Sequence, residues 1–350
     1  MACGACLTAT VLAIGPSAEG LTRATQLWVA RYNGPANGGD DAYAVAVSPD
    51  GSRVFVTGAS ESSTHLDYAT VAYNASTGHK LWVARYNGPA RGQDVAFALA
   101  VSPDGSKVFA TGESDSGRVT GFDYATVGYD ASTGAKLWAK IFGGPQNDEA
   151  FSVAASPNGS RVFVTGVWGV TSVDSDYATV AYDASTGAKL WVARHHGPVN
   201  GINEASSLAL SPDGLRVFVT GRSDGAFGLD YATVAYDAAT GAKLWVARYN
   251  GPGNRDDLAF SLGVSPDGSS VFVTGWSDAG GAPGFDYATV AYEASTGVKL
   301  WAKRYNGPGN GDDQAYSVAV SPDGSRVFVT GGSDGGSTTK FDYATVAYEA

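Results

Sequence analysis

The stretch Asp67–Tyr86, DYATVAYNASTGHKLWVARY, decides the fold. It holds two runs of alternating apolar residues joined by a turn, and it returns from residues 123, 176, 230 and 286. Its second half also stands alone at residues 27–34 and its first half at residues 342–349. The tryptophans that mark it, Trp28, Trp82, Trp138, Trp191, Trp245 and Trp301, are spaced by 54, 56, 53, 54 and 56 residues. Working outward, Ala42–Ser48 (AYAVAVS) and Arg53–Thr57 (RVFVT) precede the stretch in every unit. Period-two alternation over such short runs reads as β-strands, here named A to D in chain order. The links carry turn chemistry. Ser48-Pro49-Asp50-Gly51 joins A to B with a φ-setting Pro and a permissive Gly, and Asn74-Ala75-Ser76-Thr77-Gly78 joins C to D. No window shows a 3.6-residue apolar period, so the chain is expected to be nearly free of helix.

Four short antiparallel strands in a repeat of this length predict a propeller blade. Residues 27–34 read as a D strand with no A, B or C before it, and the last unit stops after its C strand. The expected architecture is therefore an all-β, six-bladed β-propeller, closed 3+1 by the N-terminal strand completing the last blade, which would remove the exposed sheet edges. Residues 25–350 form this single domain in the reading, after an N-terminal segment of residues 1–24.

The chain has 350 residues, 44% hydrophobic and only 16% charged, so it can bury a large core and is no disordered polyelectrolyte. A net charge of -11 without any Lys/Arg run argues against nucleic acid or anionic membrane as a partner. The two cysteines, Cys3 and Cys6, leave the body without a disulfide framework or a cysteine zinc cluster. Residues 2–14 are apolar and are followed by Gly15, Pro16 and small residues, as in a secretory signal, and they are too short to span a membrane. Extracytoplasmic or secreted localisation follows from that reading.

In a blade the A strand lines the channel, so the D-to-A and B-to-C connections share one face. The SPDG-type turns at residues 48, 102, 156, 211, 265 and 321 hardly vary, whereas the B-to-C loops starting at Gly58, Gly112, Gly166, Gly221, Gly275 and Gly331 differ throughout. Variable loops on a rigid ring point to binding. Trp168 and Trp276, assigned to these loops, and Asp115, Asp224, Asp278 and Asp334 are the candidate ligand-binding residues. Asp40, Asp94, Asp148, Asn203, Asp257 and Asp313 recur at the entrance to strand A. They either cap their own loops or form an oxygen-rich rim for a hard cation such as Ca²⁺. His195 and His196, adjacent on a strand, point to opposite faces and make a poor metal pair. The A strands are read as carrying no non-repeating Asp, Glu, His or Arg.

The C-to-D stretch Ala181–Trp191 (AYDASTGAKLW) resembles the tryptophan-docking repeat of quinoprotein propellers, and the A-to-B stretch Ala319–Gly331 (AVSPDGSRVFVTG) resembles the YVTN-type repeat. The resemblance covers residues 25–350 and implies that the six repeating tryptophans dock blade on blade. Quinoprotein dehydrogenases of this type commonly have eight blades and need a metal-anchored quinone pocket. Three functions stay open. The first is a non-catalytic extracytoplasmic scaffold, monomeric and without cofactor, engaging a protein or glycan through the B–C and D–A loop face. The second is a Ca²⁺-dependent lactonase-like hydrolase, and the third a PQQ-dependent oxidoreductase.

Overall fold

The structure, a computed structural model, describes residues 25–117, 121–171, 173–280, 284–336 and 340–350. The expectations for residues 1–24 lie outside these. Twenty-three strands and no helix are found among the described residues. Blade one comprises β1 (Asp40–Val47), β2 (Arg53–Glu61), β3 (Leu66–Asn74) and β4 (Lys80–Tyr86). Blade two has β5 (Asp94–Val101), β6 (Lys107–Asp115), β7 (Phe122–Asp130) and β8 (Lys136–Phe142). Blade three has β9 (Asn147–Ala155), β10 (Arg161–Val170), β11 (Asp176–Asp183) and β12 (Lys189–His195). Blade four has β13 (Asn203–Leu210), β14 (Arg216–Asp224), β15 (Leu229–Asp237) and β16 (Lys243–Tyr249). Blade five has β17 (Asp257–Val264), β18 (Ser270–Asp278), β19 (Phe285–Glu293) and β20 (Lys299–Tyr305). Blade six has β21 (Asp313–Val320), β22 (Arg326–Asp334) and β23 (Phe341–Glu349). Each sheet is antiparallel with its strands in chain order, A-B-C-D in blades one to five and A-B-C in blade six.

The turns form as their residues dictate. Asp50 Oδ1 accepts the Ser52 amide at 3.0 Å, the Ser48 hydroxyl accepts the Arg53 amide at 2.9 Å, and Gly51 takes φ +69°. These bonds favour the ionised carboxylate, so Asp50, Asp104, Asp267 and Asp323 are held down to about 2, the serine hydroxyl bond being the first cause in each.

Each blade packs on the next through the same contacts. Trp82 lies between Phe55 of its own blade and Tyr129 of the next, and donates its indole N–H to Ala131 O at 3.0 Å. Tyr68 donates to Ala125 O at 3.0 Å, and Tyr124, Tyr177, Tyr231 and Tyr287 repeat that bond to Ala178, Ala232, Ala288 and Ala344. A buried hydroxyl thus finds an acceptor across every one of these five junctions. Neighbouring A strands β1, β5, β9, β13, β17 and β21 pack in series, which places them innermost around a channel.

The expected 3+1 closure is not made. Residues 25–34 carry no strand, and β23 pairs with β22 alone. Trp28 nevertheless sits where a preceding blade's tryptophan belongs, stacked on Tyr73 and donating to Ala75 O at 2.9 Å. The segment is held by blade one, and blade six stands away from it. Tyr343 is 99% exposed, whereas its counterpart Tyr68 is fully buried.

Candidate functional site

Every A strand contains a β-bulge. In blade one the ladder skips from Ala42 to Ala44, leaving Tyr43 unpaired, and the same irregularity leaves out Phe97, Phe151, Ser206, Phe260 and Tyr316. A bulge re-aims one side chain, and these residues form a collar around the channel. Tyr43, Phe97 and Phe151 follow one another at centroid distances of 5.9 and 6.0 Å, and Phe260 and Tyr316 meet at 5.9 Å. Ser206 of blade four interrupts the collar.

Beside the collar the repeat breaks down. Directly paired residues on A and B are Asp41 with Ala59, Val95 with Glu113, Glu149 with Val167, Glu204 with Arg222, Leu258 with Trp276 and Gln314 with Gly332. The A strands therefore do carry non-repeating carboxylates, contrary to the expectation. Blades two, three and four present Glu113, Glu149 and Glu204 in succession. Arg222 engages Glu204, with Nε 2.8 Å from Oε2. Glu113 is 8% exposed and accepts no hydrogen bond from the described residues. Its carboxyl is pushed up to about 8, first by burial and then by Glu149 and Asp94. Glu149 is likewise raised by burial and by Glu204 and Asp148.

The recurrent entrance residues lie just outside and hold their own loops. Asp40, Asp94, Asp257 and Asp313 accept the amides of Gly34, Gly88, Gly251 and Gly307 at 2.6–2.9 Å. Asp148 bonds the Gly144 and Gly169 amides at 2.5 and 2.6 Å, and Asn203 bonds Ser175 O, Gly201 O and the Ser223 hydroxyl. Burial pushes Asp94, Asp148 and Asp257 up to about 6. Among the described residues no three of these carboxylates, nor of those at the mouth, bring oxygens within 4.8 Å of one another.

Trp168 and Trp276 stand on the ends of β10 and β18 rather than in loops, because strand B continues beyond its expected end. Trp276 pairs with Leu258 at the mouth and packs on Phe285 at 4.0 Å between centroids. Trp168 takes the position that Ser60 and Ser223 fill elsewhere, on the opposite strand face, and the Arg194 guanidinium lies 3.4 Å from its ring centroid. In blades one, four and five the equivalent arginines, Arg85, Arg248 and Arg304, bind that serine and pair with Asp67, Asp230 and Asp286. Blade three instead pairs Asp176 with His196 at 2.6 Å, with Asp174 alongside. His195 is buried edge-on against Tyr177 at 5.3 Å, and burial lowers it to about 4. Asp115, Asp278 and Asp334 accept the amides of Gly117, Gly280 and Gly336, and Asp224 that of Ile202, so these four shape the loops. The mouth carboxylates and the collar were missed. Stacking the six units and reading the column after the entrance aspartate would have found Asp41, Glu149 and Glu204.

Comparison with known proteins places this geometry. The family model described as outer membrane protein assembly factor BamB, of the PQQ type, matches residues 125–233 and 230–346. A lanthanide-dependent methanol dehydrogenase of Methylacidiphilum fumariolicum (strain SolV) is 31% identical over 109 residues, 31% of this chain and 17% of that protein, so the match spans under a fifth of that relative. Hydrazine synthase of Kuenenia stuttgartiensis superposes with a TM-score of 0.58 at 17% identity, over 82% of this chain and 73% of that one. Sqt1 of Chaetomium thermophilum, bound to the N-terminus of ribosomal protein L10, gives 0.53 at 18% identity, over 84% and 70%. These two likenesses concern the fold alone. Matched from strand C of blade two to strand C of blade six, the chain belongs to the PQQ-type repeat family of the outer membrane protein assembly factor BamB.

Proposed function

We propose that the chain is a non-catalytic, extracytoplasmic binding propeller that engages a protein partner through the face carrying the B–C and D–A loops, centred on the channel mouth. The observation that carries this reading is where the repeat breaks. The turns of one face stay nearly invariant, while Glu113, Glu149, Glu204, Arg222 and Trp276 gather at the opposite end of the channel. Acidic and aromatic groups on rigid strands favour a partner segment that is basic. The family's description as an assembly factor for outer membrane proteins, and the Sqt1 complex with the N-terminus of L10, favour protein over glycan. Pyrroloquinoline quinone is a tricarboxylate, and a mouth of carboxylates whose arginine is paired to Glu204 does not fit it.

Fluorescence anisotropy with labelled peptides of net charge about +5 and -5 tests this. At low salt the basic peptide should bind, and the double charge reversal Glu149→Lys with Glu204→Lys should weaken it at least tenfold. The matching reversal on the other face, Asp104→Lys with Asp323→Lys, should leave it unchanged. Equal sensitivity to both pairs would sink the reading.

A further inference from the structure

We infer that Glu113 and Glu149, together with the collar rings of Tyr43, Phe97 and Phe151, form a pocket for an organic ammonium group, the end of a lysine side chain or of a free alkyl amine. This rests on the partner-binding reading of the channel mouth and names the chemistry that the mouth selects.

Two independent features point to a cation. Glu113 is more than nine-tenths buried and meets no hydrogen-bond donor among the described residues, while its carboxyl oxygens stay open to the channel, so a cation arriving there finds an acceptor that no side chain has already engaged. The groups acting on it most strongly, Glu149 on β9 and Asp94 on β5, are themselves acidic, and Tyr43 on β1 and Tyr68 on β3 also feel its charge. The second feature is the collar. Three rings follow one another across blades one, two and three, on the A strands that neighbour both carboxylates, and each is half-buried by its bulge. Aromatic faces with adjacent carboxylates are the surroundings in which an alkylammonium is held best.

The same geometry argues against a bare metal ion. A hard divalent cation asks for six to eight oxygens at 2.3–2.6 Å. Among the described residues no three carboxylates at this mouth bring oxygens within 4.8 Å of one another, and the collar rings stand on the same or neighbouring A strands. A lysine end is larger, spans a pair of carboxylates and lays its methylenes on the rings.

The probes are Nα-acetyl-lysine methylamide for a side chain, 1,5-diaminopentane for a free amine, the norleucine analogue as the uncharged control, and Ca²⁺ alone. Each is titrated into the 350-residue chain by calorimetry at pH 7 in two buffers of different ionisation enthalpy. An ammonium probe should bind with release of a proton from Glu113, and the norleucine analogue should not bind. Glu113→Gln should abolish the proton release and weaken binding at least tenfold while its melting temperature stays at or above that of the parent. Phe97→Leu should weaken binding about threefold without altering the proton count. Tighter binding by the lysine derivative assigns the pocket to a partner's side chain, and tighter binding by the diamine to a free amine. Binding of the norleucine analogue, binding indifferent to Glu113→Gln, displacement of the amine by equimolar Ca²⁺, or no binding by either amine overturns the inference. If the amines fail while the basic peptide still responds to the Glu149 and Glu204 reversal, this pocket falls and the partner-binding reading stands.

Discussion

Glu113 is the residue on which pH acts most plainly. Its carboxyl stands at about 8, and those of Asp94, Asp148 and Asp257 at about 6, all raised first by burial. Each binds its proton more tightly in the fold than in the unfolded chain, so its stabilising protonation is complete below pH 4 and is lost as pH rises through 6 and then 8. The turn carboxylates of Asp50, Asp104, Asp267 and Asp323 act oppositely, contributing above pH 4 and failing towards 2. His195, lowered to about 4, also opposes, since its share is lost as pH falls from 6.5 towards 4. The balance predicts a melting temperature that peaks between about pH 4 and 6 and falls by roughly 2–5 °C towards pH 8.5. Glu113→Gln should remove most of the decline above pH 6.5, and an unchanged profile in that variant would show that its carboxyl is ordinary. The recurrent aspartates were legible as loop caps because a repeated side chain has a repeated job. Glu113, Glu149 and Glu204 were not, because reading the units by what they share hides the column in which they differ.

Strands and turns stood open to the sequence, since period-two alternation and the Ser-Pro-Asp-Gly corner each have a direct physical cause. The bulges did not. One extra residue leaves AYAVAVS alternating as before, and only the ladder shows that Tyr43 is skipped. The end of strand B was misread for a related reason. Gly58 looks like the start of a loop, yet it lies inside β2, where a Cβ would stand 1.9 Å from Asp41 O beside the bulge. The ladder then runs on to Glu61, which is why Trp168 and Trp276 are strand residues. The C-to-D turn makes a sharper demand. Gly134 takes φ +73°, and a Cβ there would meet the Trp82 ring at 2.7 Å. Gly134→Ala is therefore expected to destabilise by about 1–3 kcal/mol, from left-handed strain and displacement of the docked indole. Urea unfolding followed by tryptophan fluorescence measures it, and a loss below a few tenths of a kcal/mol would mean that the turn and the ring move apart freely.

Across the whole molecule, five junctions share one construction and the sixth is not formed. Tyr343 presents the hydroxyl that Tyr68, Tyr124, Tyr177, Tyr231 and Tyr287 bury against the following blade, while Trp28 keeps blade one supplied with its docking indole. Tetranitromethane should nitrate Tyr343 quickly and spare those five tyrosines, as peptide mass mapping would show. Protection of Tyr343 equal to that of Tyr68 would mean that the end blades meet in solution. The blade count was readable because a repeat announces itself. Closure was not, because the same sequence pattern suits strand pairing with β23 and docking on blade one, and only the latter is seen. A construction in which five joints are interchangeable has an evolutionary consequence. A blade can be duplicated or lost by recombination between near-identical segments without any joint having to be reinvented, so the number of blades can drift while the handful of unlike residues at the mouth carries the molecule's identity.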